Sequence, residues 1–349
     1  MSLHDVIIAG AGIIGVSLAL ELRERGARVL VLDEREPGHG ASSAAAGMLA
    51  ATDPETPVRL RDFAVESARL FPEFVKRIEA DSGISVDFRR QGTIVMGHGP
   101  FPENHQRLSR KELARHESDL DPGIHQAFFV AEDAVDPALL MQAAIRAAEA
   151  NGIEIRPGTK VLEMRSSAGS VEVVTDRGTL ASAQAVNCCG AWAGAPVRPR
   201  KGQMLYLRPE RSGIPEHVVR APDVYVVPRS SGKILVGATV EDVGFNTDVE
   251  STVIERLHFS AAKYLPQLAS ATVIESWAGL RPGTPDDLPV MGKTENTGVF
   301  IATGHFRNGI LLAPATARAM ARLMLGEDPG IDLAGFSPQR FTAGKVHTS

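Results

Sequence analysis

The 349-residue chain is short of cysteine, of tyrosine and tryptophan, and of any surplus of one charge. Its two cysteines, Cys188 and Cys189, are neighbours. Neighbouring cysteines do not readily close an unstrained disulfide. No C-x-x-C or zinc-type spacing is present either. This excludes a disulfide scaffold, leaves no metal ligand set to expect, and fits a reducing, cytoplasmic setting. The net charge of −5 is spread over interleaved signs with no basic block, so nucleic acid and anionic membrane surfaces are poor partners. No apolar run reaches the ~20 residues of a membrane span. The longest candidate, Gly309 to Leu325, is interrupted by Pro314, Arg318 and Arg322. No internal repeat is found, and no secretory leader is expected before a first strand that starts close to Met1.

What is present is an ordinary globular composition, 44% hydrophobic and 23% charged, at a length that suits two domains or one domain with an insertion. The apolar run Asp5–Ala9 leads into Gly10-Ala11-Gly12-Ile13-Ile14-Gly15. A helical pattern follows from Val16 to about Arg25. Gly26 ends it, and a second strand, Arg28–Leu32, closes on Asp33-Glu34. This is a complete β-α-β unit. Gly10 permits the tight turn, Gly12 lets a pyrophosphate approach the backbone, and Gly15 lets helix and sheet pack closely. The helix N-terminus favours the phosphate charge. Asp33 stands where a ribose-binding acid is expected. The unit predicts a dinucleotide site without saying which dinucleotide.

Farther along, Ala41–Leu49 is a run of small residues suited to backbone lying against a flat ligand, or to a helix start capped by Ser42 or Ser43. A helical pattern runs from Pro57 to Ala80. Short strand-like pieces fill 84–135, with a charged helical patch from Arg107 to His116. Asp136-Pro137 opens a helix that closes at Asn151-Gly152. A hairpin is expected around Asp176-Arg177-Gly178. A strand then enters the glycine turn at Gly190, 200–270 is again β-rich, and a last glycine turn, Gly304–Gly309, precedes a helix. The expected architecture is α/β: a Rossmann-like β-α-β domain from 1–83, 136–199 and 271–349, with an inserted β-rich α+β substrate domain from 84–135 and 200–270. NAD enzymes usually keep their halves contiguous. The discontinuous layout and the distant C-terminal glycine turn point to FAD.

Four stretches carry a resemblance: Gly10–Gly15 with Asp33; Ser43-Ala44-Ala45-Ala46-Gly47-Met48; Trp277-Ala278-Gly279-Leu280-Arg281-Pro282-Gly283-Thr284; and Gly304 to Pro314. Lys201-Gly202-Gln203 and Tyr225–Arg229 add to it. With these the chain resembles the D-amino-acid oxidase superfamily of FAD-dependent amine oxidases, most closely its glycine-oxidising branch, which is linked to thiazole synthesis for thiamine. The resemblance implies substrate binding by Arg281, Tyr225, Arg307 and Met48, with no side chain acting as acid or base. It implies cofactor contacts from Ile13 and Ile14 at the pyrophosphate, Asp33 and Glu34 at the adenosine end, and Val161 at adenine. Ser42, Ala46, Gly47 and Met48 would lie along the diphosphate and flavin, and residues from His305 and Arg307 through Asn308, Gly309, Ile310 and Leu311 at the flavin end. Arginine suits such a role because its planar fork matches a carboxylate. The segment Thr284–Pro289 lacks the cysteine that tethers flavin in related sarcosine oxidases, so non-covalent FAD is expected. Asp223 stands where the glycine-oxidising branch carries a histidine, which leaves substrate range open.

The expected reaction is oxidation of glycine or another small amino acid or amine by molecular oxygen. A homo-oligomer is compatible with it. The alternatives are a D-amino-acid or sarcosine dehydrogenase of the same fold, and a non-catalytic flavin-binding subunit.

Overall fold

The computed structural model describes residues 4–97, 105–124, 126–211 and 215–341. Its organising sheet starts from the strand His4–Ala9, whose apolar side chains are buried on both faces, as a central parallel strand requires. It pairs in parallel with Val29–Leu32 on one side, Ile8 opposite Val31, and with Gly178–Asn187 on the other, Ile8 opposite Val186. The helix Ile13–Glu24 makes the crossover between the first two strands. Glu154–Arg156 extends the sheet beyond Val29–Leu32, and Val299–Thr303 pairs with the end of Gly178–Asn187. The hairpin Ser170–Thr175 with Gly178–Asn187 forms as its Asp-Arg-Gly turn predicts. Three separated parts of the chain thus build one sheet.

One helical layer covers this sheet. Helices Ile13–Glu24, Val58–Ser82, Pro137–Ala150 and Gly309–Met324 pack together in a single apolar core with the strands. Local chemistry sets their ends. Asp136 caps the third, its Oδ1 accepting the amides of Ala138 at 2.9 Å and Leu139 at 3.3 Å, with Pro137 in the first turn. The second stops at Gly83, which is left-handed at φ 70°.

The second sheet runs in the order Thr272–Gly283, Arg198–Arg208, Ile234–Gly237, Tyr225–Pro228, Val218–Arg220, Thr93–Met96, Ala127–Val130, Gln106–Leu108. Alternation splits its side chains between two faces. Leu205, Leu207, Val226, Ile234 and Val236 meet the helix Ser251–Tyr264 and form a core of their own. Tyr206, Tyr225, Val227, Leu235 and Trp277 point the other way, towards Ala46 and Met48 of the small-residue loop. A small three-stranded sheet, Met48–Leu49, Asp133–Val135 and Phe88–Arg89, joins the two halves.

Two local expectations change. Thr272–Gly283 falls in the stretch 271–349 read as cofactor domain, yet it pairs along its length with Arg198–Arg208 and belongs to the second sheet. The charged patch 107–116 is helical only from Arg110: Ser109 and Glu112 close a capping box there, and Gln106–Leu108 is a strand. Residues 342–349 of the C-terminal piece lie outside the described residues. Among those described, no helix is long and apolar enough to cross a membrane.

The crossover is tight at one point. A Cβ on Gly15 would lie 1.9 Å from the Gly10 carbonyl oxygen. Gly15→Ala is therefore expected to cost at least the ~1–3 kcal/mol of core overpacking, read as a lower urea midpoint at unchanged slope. An unchanged midpoint would refute this packing.

Candidate FAD and substrate site

A cavity of about 980 Å³ begins at the carboxyl ends of the first two strands and runs to the second sheet. At its near end Gly10 adopts φ 103°, and a Cβ there would lie 2.3 Å from the Cys188 carbonyl oxygen. Asp33 holds this turn: its Oδ2 accepts the Ala11 amide at 2.7 Å and its Oδ1 the Arg35 amide at 2.8 Å. Its first task is thus to tie the glycine loop to the end of the second strand. Each oxygen keeps a further lone pair for a ribose hydroxyl. Ser42 Oγ accepts the Ile13 amide at 3.0 Å, so a hydroxyl from the small-residue loop caps the helix start. Glu34 pairs with Lys160 at 3.0 Å. Burial, then the nearby Asp33 and Glu34 carboxylates, push the Cys189 thiol up to about 12, and burial raises Cys188 as well. Neither is a nucleophile.

The small-residue loop is small because it is gripped on two sides. Gly47 has φ 78°, and a Cβ there would lie 1.9 Å from the Val135 carbonyl oxygen. Gly279 of the second sheet faces Ala44 so closely that its Cβ would lie 2.6 Å from Ala44 Cβ. Trp277 Nε1 donates to Ala44 O at 3.2 Å. Arg229, buried at 3% exposure, donates to Ala46 O at 2.7 Å and to Val135 O at 3.0 Å. Sequence reasoning gave Arg229 no role. The signal available was an arginine at the end of the apolar strand Tyr225–Pro228.

The C-terminal turn closes the cavity from the opposite side. His305 is buried, its Nε2 lies 3.1 Å from Thr316 Oγ1, and burial lowers its pKa to about 3, so it is neutral. Phe306 takes φ 47°, and the helix Gly309–Met324 starts with Asn308, Gly309 and Ile310 at the cavity wall. Such a terminus favours negative charge.

At the far end stand Arg281 and Tyr225. Arg281 lies inside the strand Thr272–Gly283, not on a turn as Pro282-Gly283 suggested. Its guanidinium lies over Gly202, whose Cβ would come within 2.3 Å of both terminal nitrogens. Nη1 donates to Thr239 O at 3.0 Å and approaches Lys201 O at 3.5 Å. Among the described residues it has no carboxylate partner. The other arginines at this end are neutralised: Arg220 pairs with Asp53 at 2.8 Å and Glu132 at 3.0 Å, and Arg307 with Glu55. The Tyr225 hydroxyl donates to Met204 Sδ, at 3.4 Å. Burial raises its pKa against the opposing pull of Arg281, so the phenol is neutral. Asp223 lines the same end and accepts the Tyr264 hydroxyl at 2.8 Å.

Of the residues singled out from sequence, the cavity gathers all but Gly15 and Leu311. Gly15 packs on Gly10. Leu311 is buried in the core, its carbonyl accepting the Ser67 hydroxyl at 2.6 Å.

A model of the FAD dependent oxidoreductase family matches residues 5–323. The chain belongs to that family. It is 34% identical to a glycine oxidase of Bacillus licheniformis over 93% of both chains. It is 33% identical to the bifunctional protein ThiO/ThiG of Trichormus variabilis, over 97% of this chain and 55% of that one, so it spans about half of the two-part relative. The crystal structure of glycine oxidase from Geobacillus kaustophilus superposes with a TM-score of 0.92 at 30% identity, covering 99% of both chains.

For an FAD-dependent enzyme the cavity fits its cofactor. It is long, and its near end has the glycine turn and the acidic strand end that a dinucleotide needs. Ala46 and Gly47 offer backbone without bulk, and a helix N-terminus faces the other end.

The neutral His305 generates a pH dependence. Its folded pKa lies below the unfolded value of about 6.5, so the unfolded chain binds the proton first and acid favours unfolding. Between pH 6.5 and about 3 the parent protein is expected to lose thermal stability, as pH falls, faster than His305→Gln. Parallel melting-temperature profiles would contradict the buried neutral ring.

Proposed function

We propose that this chain catalyses the FAD-dependent oxidation of glycine, or a similarly small amino acid, by molecular oxygen. Glycine, water and oxygen become glyoxylate, ammonia and hydrogen peroxide. The observation that carries this reading is Arg281, a guanidinium at the cavity wall that no carboxylate of the described protein neutralises. A carboxylate substrate supplies the missing charge, and the planar fork can bind both of its oxygens. Tyr225 adds a second donor at little cost, because the thioether it now reaches is a weak acceptor. Met48, Met204 and Tyr225 line the same cavity, and a small amino acid is in keeping with the glycine oxidase relatives.

The glycine loop and Ser42 would hold the FAD pyrophosphate, Asp33, Glu34 and the Val161 backbone its adenosine end, and Ala46–Met48 with Asn308–Ile310 its ring system. When bound, FAD supplies the two-electron acceptor for the Cα–H bond. The protein's own contribution is orientation, charge and a small, shaped pocket. Among the described residues, the titratable groups at this end are already engaged, and Asp223 accepts the Tyr264 hydroxyl. His305 is spent on Thr316, the Tyr225 phenol is held neutral, and Asp53 and Glu55 are paired. The substrate amine therefore reacts after losing its proton to solvent.

FAD would be held without a covalent bond, since both thiols sit at the adenosine end in unreactive form. The segments 84–135 and 200–270, with the strand Thr272–Gly283, would serve the substrate, and the remainder the cofactor. Fusion of ThiO to ThiG in relatives supports a role in supplying thiazole for thiamine. Two free thiols suit a cytoplasmic setting.

The test is an anaerobic spectrum of the holoenzyme with glycine, sarcosine, D-alanine and D-proline in turn. Glycine is expected to bleach the flavin, and bleaching by none of the four would end this reading. Arg281→Ala is expected to raise KM for glycine by about 100-fold, within the ~2–5 kcal/mol that loss of one member of a buried charge pair costs, with flavin content unchanged. An unaltered KM would remove Arg281 from the site.

A further inference from the structure

Next to Arg281, but outside the cavity lining, a charged cluster is built around the buried Lys201 and Gln203 of the second sheet, with Glu241 part-buried and Glu250 exposed. The Lys201 side chain is 2% exposed, and its ammonium lies 3.3 Å from Glu241 Oε2 and 3.6 Å from Glu250 Oε1. Gln203 is fully buried. Its Nε2 donates to Glu241 Oε1 at 3.0 Å, its Oε1 accepts the Glu250 amide at 2.8 Å, and its own amide donates to Thr239 Oγ1 at 2.9 Å. The Thr239 hydroxyl donates in turn to Glu241 Oε1. One carboxylate thus collects an ammonium, a side-chain amide and a hydroxyl. Burial pushes Glu241 up, but these three donors outweigh it and hold the carboxyl below its ordinary range.

The backbone of the same residues holds the substrate-facing arginine. Lys201 and Glu241 exchange amide-to-carbonyl bonds of 3.0 and 2.9 Å. The carbonyls that Arg281 Nη1 meets belong to Thr239 and Lys201, the two residues whose side chains Glu241 ties together. Gly202, between Lys201 and Gln203, forms the floor under the guanidinium. A two-oxygen grip on a carboxylate depends on how the planar fork is turned. That angle is set here by two carbonyls, Lys201 in the strand Arg198–Arg208 and Thr239 in the segment that follows the strand Ile234–Gly237. A buried ammonium also needs its counter-charge to stay where it is.

We propose that Glu241 is a positioning residue for substrate-carboxylate recognition: by joining Lys201, Gln203 and Thr239 it fixes the two carbonyls that aim Arg281 into the cavity. The proposal rests on the reading of Arg281 as the carboxylate-binding group.

The experiment uses holoenzyme and measures steady-state kinetics with glycine, calorimetric binding of acetate as the simplest carboxylate, and flavin content. Glu241→Gln is expected to raise the glycine KM and the acetate Kd about tenfold while kcat stays within about threefold, the scale of one lost charge-assisted hydrogen bond, with flavin content as in the parent. Thr239→Val, which keeps the side-chain shape, is expected to shift the same two constants in the same direction by less, and it decides the matter if Glu241→Gln does not fold. In an Arg281→Ala background neither substitution should weaken binding further, because the group they act through is gone. Unchanged acetate affinity in both single variants would overturn the proposal, as would an effect that persists undiminished without Arg281. If Arg281→Ala alone leaves glycine and acetate binding unchanged, the underlying reading fails, and that single variant reports it separately.

Discussion

The molecule depends on the grip of Arg229. A single guanidinium, 3% exposed, holds the carbonyls of Ala46 and Val135 from the second sheet. Together with Trp277, whose Nε1 donates to Ala44 O, and the pairing of Met48–Leu49 with Asp133–Val135, it fixes the height of the small-residue loop between two layers. So held, the loop is a shelf, and the glycine turn at one end and the helix Gly309–Met324 at the other can face the same elongated space. Asp136 Oδ2, 3.7 Å from Arg229 Nε, supplies a counter-charge, and the two carbonyls fix the direction of the fork.

A contrast between compensated and uncompensated arginine distributes labour at the far end. Arg220 and Arg307 are tied to carboxylates of the loop that contains Asp53 and Glu55, and they cross-link that loop to the second sheet and to the C-terminal turn. Arg281 donates to the Thr239 carbonyl and, among the described residues, has no carboxylate partner. A cation satisfied by dipoles keeps its long-range attraction for an anion, whereas one satisfied by a carboxylate has largely lost it. The three side chains are chemically identical, and their partners decide which of them keeps its charge open to an anion and which of them braces.

The sequence made the near end of the site legible and the far end only partly so. Gly10, Gly12, Gly15 and Asp33 are close in sequence, and each is constrained by its neighbours in one β-α-β unit, so spacing alone locates them. The caps at Asp136 and Gly152 are local for the same reason. Arg281 was legible as a residue but not as a strand residue. Pro282-Gly283 reads as a turn, yet Thr272–Gly283 is an edge strand, where proline is tolerated and Pro199 stands opposite Pro282. Lys201 and Arg229 stood in the matching stretches but were given no role, because a charge in or beside a strand normally faces water. The groups that permit their burial, Glu241 and the Ala46 and Val135 carbonyls, lie far off in the chain, and only the folded sheet brings them together.

The two thiols at the adenosine end have one more consequence. Peroxide oxidises the thiolate of cysteine rather than the thiol, and burial combined with adjacent acids keeps Cys189 almost wholly protonated at neutral pH. A reaction that releases hydrogen peroxide exposes its own catalyst to every molecule it makes. Here burial holds the cysteine pair in the form that peroxide attacks most slowly, and at Cys189 the nearby Asp33, which also ties down the glycine turn, adds to it. The residue that shapes the glycine turn thereby also helps keep the thiol beside it protonated.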